Sequence, residues 1–128
     1  MKEKQITVLK VEPHKHPEIC TLENDLDSLQ KAVSIGVDYQ GLIEIFGIDD
    51  DVAILANEEV KLIGLEPNRH FYDDVLCGVF YVVGEDDEGN LTSLSPAMQD
   101  RYLRLFWEPE DIPKSEAEHA IFMRFFPM

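Results

Sequence analysis

The sequence predicts an α+β fold: a mostly antiparallel sheet of about five strands, helices packed on one face, and the order β-β-α-β-β-α-β-α plus a tail element. Three features lead there. Apolar residues alternate with period two in several stretches that polar turns join into hairpins. The period lengthens to that of a helix at 24–36 and 95–107. Prolines and glycines fall one at a time, and 128 residues suit a single domain, 1–128.

"QITVLKVE" (5–12) sets Ile6 and Val8 on one face and Thr7, Leu9 and Val11 on the other, a strand apolar on both sides. "PHKHP" (13–17) is a polar loop, and "EICTLE" (18–23) returns as the second strand. In "NDLDSLQKAVSIG" (24–36), Leu26, Leu29 and Val33 share a helical face; Asn24 or Asp25 suits the N-cap and Gly36 the left-handed stop. "GLIEIFGI" (41–48) and "VAILAN" (52–57) form a second hairpin with Asp49, Asp50 and Asp51 at its turn. "NEEVKLIG" (57–64) parses as a short helical turn capped by Asn57, with Glu58 and Glu59 on its exposed N–H groups and Gly64 as its stop. "EPN" (66–68) supplies turn chemistry.

"VLCGVFYVVG" (75–84) is the most β-prone run and predicts burial on both faces; "EDDEGN" (85–90) is a turn. In "SPAMQDRYLRLFW" (95–107), Ser95 caps, Pro96 takes the first helical position, and Met98, Tyr102, Leu105 and Phe106 form the apolar stripe. Ser115 and Glu118 have capping-box spacing, and 119–127 reads as helix with strand as the alternative.

Charge narrows the function. The chain has 26 Asp+Glu against 11 Lys+Arg, a formal net charge of −15. Nucleic-acid phosphates and anionic membrane surfaces are repelled by such a surface. Apolar runs such as "VAILA" and "VFYVV" fall far short of a membrane span. "MKEKQITVLK" lacks the apolar core of a secretion signal, so a cytoplasmic location is expected, with Cys20 and Cys77 as free thiols. The acid surplus has two readings: solubility, or a surface facing a basic host protein.

Hydrolase, zinc-protease, Walker and dinucleotide motifs are absent, and neither a cofactor nor a metal is expected. His14, His16 and Cys20 lack a fourth zinc ligand. Asp86, Glu88 and Asn90 alternate like calcium ligands, but Leu91 and Ala97 stand where the glycine and the closing glutamate belong. If Asn57, Glu58, Asn68, Arg69, His70 and Asp73 converge, they form a polar pocket in which the arginine grips a carboxylate or phosphate with two bonds. The plainer alternative has Arg69 bridging Glu58 or Asp73 and stapling the loop. In the tail, Ile121, Phe122, Phe125 and Phe126 are either core or an interface, homodimeric or with a partner.

"ITVLKVEP", "LDSLQKAV", "NEEVKLIGLEPNR", "GVFYVVG" and "GNLTSLS" together resemble an uncharacterised family found in bacterial chromosomes, plasmids and phages, domain of unknown function 3846. The resemblance spans 5–106 and leaves 107–128 as an aromatic C-terminal extension. Where the family places glycine after the two acids, this chain has Val60. The resemblance carries no established activity; its company on mobile elements, sometimes near antirestriction genes, implies an accessory or anti-defence role. The expectation is a non-catalytic protein-binding modulator. The alternative is a small-ligand-binding domain or enzyme with its site around Asn57–Asp74.

Overall fold

The computed structural model describes residues 3–35, 41–58, 66–72 and 74–116. Strands β1 (Gln5–Val11) and β2 (Glu18–Glu23) pair antiparallel, from Gln5 opposite Glu23 to Lys10 opposite Glu18. β3 (Ile43–Asp49) and β4 (Val52–Asn57) form the second hairpin, with a register shift between Gly47 and Asp49. Hairpin β5 (Pro67–Phe71) and β6 (Asp74–Cys77) stands apart as a two-stranded sheet. β7 (Phe80–Glu85) runs between the first two hairpins, antiparallel to both β1 and β4, and β8 (Leu91–Thr92) folds back on its end. The main sheet therefore has the order β2-β1-β7-β4-β3, with β8 beside β7.

The alternation read from β1 decides the layering. Leu9 and Val11 join Ile54, Phe80 and Val82 on one face, against Tyr102 and Phe106 at the end of helix α2 (Pro96–Leu105). Ile6 and Val8 join Leu55, Tyr81 and Val83 on the other, against Leu29 and Val33 of helix α1 (Leu26–Val33). The α+β class and the antiparallel sheet hold, but the helices do not share a face. Strands apolar on both sides need a cover on both, since burying one such side chain is worth about 1.5–3 kcal/mol.

The β5–β6 hairpin shares the α2 side. Leu76 and Phe71 pack into that core, while Val75 and Cys77 point outward and are covered by Ile112. Two expectations are corrected here. "EPN" opens a strand rather than a turn: Pro67 sits at the first strand position, where its missing N–H is tolerated. The run 75–84 is not one strand, because Gly78 adopts φ 68° and turns β6 away from β7.

Asp25, not Asn24, caps α1, accepting from the Ser28 N–H at 2.8 Å. Asn24 is buried and donates to the carbonyls of Glu3 and Leu91. Ser95 caps α2 with Pro96 following, as expected. Leu26 and Leu105, expected on the apolar faces, are 60% and 58% exposed; Leu103 packs on the core instead of Leu105. Residues 114–116 form a helical turn that contains Ser115 rather than following it. The turn expected beyond Glu58, the stop at Gly36 and the tail from 117 lie outside the described residues. Among the described residues, no helix is long and apolar enough to cross a membrane.

Candidate functional site

Asn68 and Arg69 follow Pro67 in β5 and are both buried. The Asn68 amide donates to the Val11 carbonyl at 2.9 Å and the Gly78 carbonyl at 2.8 Å, tying β5 to the end of β1 and to the bend before β7. Its side-chain oxygen accepts from Arg69 Nη1 at 2.8 Å. Arg69 Nε donates to the Phe106 carbonyl at 3.0 Å, and Nη2 donates to the Lys15 carbonyl at 2.6 Å. The guanidinium thus meets the C-terminal end of α2, where a cation is favoured by the helix dipole. Burial holds its pKa below the ordinary value, and Glu110 offsets only part of that. An arginine so placed remains charged.

Among the described residues, Arg69 forms neither an outward clamp nor a bridge to Glu58, and the alternative bridge, to Asp73, falls outside them. Among the described residues, the donors end on carbonyl oxygens of the chain itself and on Asn68, an inward set and not an outward two-pronged clamp. The Glu58 backbone N–H donates to the Leu42 carbonyl at 3.0 Å. Asn57 ends β4, buried against Gly41. Asp73 lies outside the described residues.

His70 is next in the strand and points the other way. Its ring Nδ1 lies 2.6 Å from Glu110 and its Nε2 bonds Glu116, while its backbone N–H donates to Glu110 at 3.0 Å. Glu110 first, then Glu116, raise the His70 pKa above its ordinary value. Sequence reasoning named His70 but missed both glutamates, 40 and 46 residues away. His14 bonds Glu66 at 3.1 Å, and His16 stacks on Trp107 with ring centroids 4.0 Å apart. Among the described residues, no group of three or more histidines, cysteines and acids is placed to hold a metal ion.

At the opposite end of the sheet, two acidic turns lie side by side. The Glu85 N–H donates to the Asp51 carbonyl at 2.9 Å, one step beyond the pairing of Val52 with Gly84. Asp49–Asp51 and Glu85–Glu88 so set seven carboxylates on one rim. Asp86 accepts the N–H groups of Glu88 and Asn90, which lowers its pKa. Arg101 of α2 meets this rim through Asp49 at 3.1 Å.

No curated protein and no solved structure matches the chain. A family model, that of a domain of unknown function (DUF3846), matches residues 6–107, against the 5–106 expected from the quoted motifs. That stretch contains all of the sheet but Gln5, helices α1 and α2 and the Asn68–Arg69 pair, and the chain belongs to this family.

Proposed function

We propose that the protein is a non-catalytic binding module that engages a basic protein partner through the acidic rim formed by the β3–β4 and β7–β8 turns. The adjacency of those turns carries the reading. Asp50, Asp51, Asp86, Asp87 and Glu88 are all exposed there, and such a rim steers and orients a cationic surface. The inward set of Arg69 supports the same reading, since the residue best suited to grip a small anion is turned to the chain's own carbonyls. A cytoplasmic location and an accessory role for a mobile element against host defence fit this reading. A homodimer through Ile121, Phe122, Phe125 and Phe126 is a separate proposal, tested by sedimentation.

The test is capture from an extract of the native host, with the wild-type chain and an Asp50→Lys, Asp51→Lys, Asp87→Lys, Glu88→Lys variant. Basic proteins retained by the wild type and lost by the variant are the expected result. Equal retention by both refutes the rim. Protection of DNA from host nucleases in cells expressing the chain tests the anti-defence role, and its absence removes that role alone.

A further inference from the structure

Residues 107–116 lie at and beyond the edge of the family match, yet they cover the outer face of the β5–β6 hairpin. The segment is hinged at Trp107, which stacks on His16 and accepts a hydrogen bond from its ring nitrogen at 2.6 Å. Ile112 lies buried on Val75 and Cys77. On either side of it in sequence, Glu110 and Glu116 close on the two ring nitrogens of His70.

We propose that 107–116 is a proton-operated strap, held over the hairpin while His70 is charged and released when the imidazole loses its proton to solvent. The geometry carries this. A neutral imidazole has one N–H and one lone pair, so it can donate to only one of two carboxylates; the imidazolium donates to both. Deprotonation therefore turns one glutamate against a lone pair. Among the described residues, the other charged group that acts on the clasp is Arg69, through Glu110, and the residue paired with His70 across the hairpin is apolar Val75. Both carboxylates raise the proton affinity of His70, so the strap holds on the acid side and loosens as pH rises through the histidine's titration. Release uncovers Val75 and Cys77. This inference stands apart from the acidic rim.

Cys77 is a built-in reporter. In the full chain carrying Cys20→Ser, Cys77 is the one remaining thiol. Its alkylation is followed from about pH 5.5 to about 8.5, the range in which histidine titrates, and corrected for thiolate with an unfolded peptide of the same sequence. The His70 ring is titrated in parallel by NMR. The corrected rate is expected to rise about twofold, with the midpoint of the ring. His70→Gln labels fast throughout while the β7 amides stay protected, and Glu116→Gln moves both midpoints to lower pH together. A flat corrected rate while the ring titrates overturns the strap. So does slow labelling in His70→Gln, or a Glu116→Gln chain whose ring midpoint moves without the labelling.

Discussion

Arg69 carries its charge into the interior, and among the described residues carbonyl oxygens receive it. The geometry is that of a fork: Nε and Nη2 reach different elements, and Nη1 leans on Asn68. A lysine cannot span those directions, so Arg69→Lys is expected to destabilise by about 2 kcal/mol despite keeping the charge. Asn68→Asp is harsher. It sets an oxygen where the amide donates to Val11 and Gly78, and a loss of about 3 kcal/mol is expected in thermal melts. An unchanged melt would remove the pair from the core account. The residues themselves stand out in the sequence by their odd company of amide, arginine and histidine. Their partners do not, because every residue offers a backbone carbonyl and nothing in the sequence distinguishes those of Val11, Lys15, Gly78 and Phe106.

Elements were legible where period and burial agree. β1, the two outer hairpins and both helices follow from alternation and capping residues, and Leu9 and Val11 opposite Ile6 and Val8 already imply a sheet covered twice. A helical period tells which side of a helix is apolar, not which side of the sheet it meets, so the helices' division between faces was hidden. β5 was hidden too, because Pro67 and Asn68 have turn chemistry that tertiary hydrogen bonds override. β8 depends on close approach: a Cβ on Gly84 would lie 2.6 Å from the Ser93 carbonyl oxygen. Gly84→Ala is therefore expected to cost about 1–3 kcal/mol, read from urea unfolding. For the His70 clasp the sign is set by its raised pKa. Its contribution is complete below the unfolded value of about 6.5 and is lost as pH rises through the folded one. The side chain is 45% exposed, so the effect is about 0.5 kcal/mol or less. It is measured as the part of the pH dependence of unfolding that His70→Gln removes.

Across the whole molecule, a net charge of −15 opposes compaction, most of all at the rim where two acidic turns meet. Raising salt from about 0.05 M to about 0.5 M shortens the reach of that repulsion well below 10 Å. The melting temperature is expected to rise, and to rise less in an Asp50→Lys, Asp87→Lys chain; a fall with salt would mean the acids are internally paired. Stability then comes from the interior, where the Asn68–Arg69 pair joins the hairpin, the β1–β2 loop and the end of α2 to the sheet. Equilibrium urea unfolding of Arg69→Ala tests this most directly. Buried carbonyls left without donors should cost about 3 kcal/mol, lowering the midpoint by about 1 M or more for a chain of this size. A midpoint equal to that of the wild type would contradict the structural role of the pair and return Arg69 to the list of ligand-binding residues.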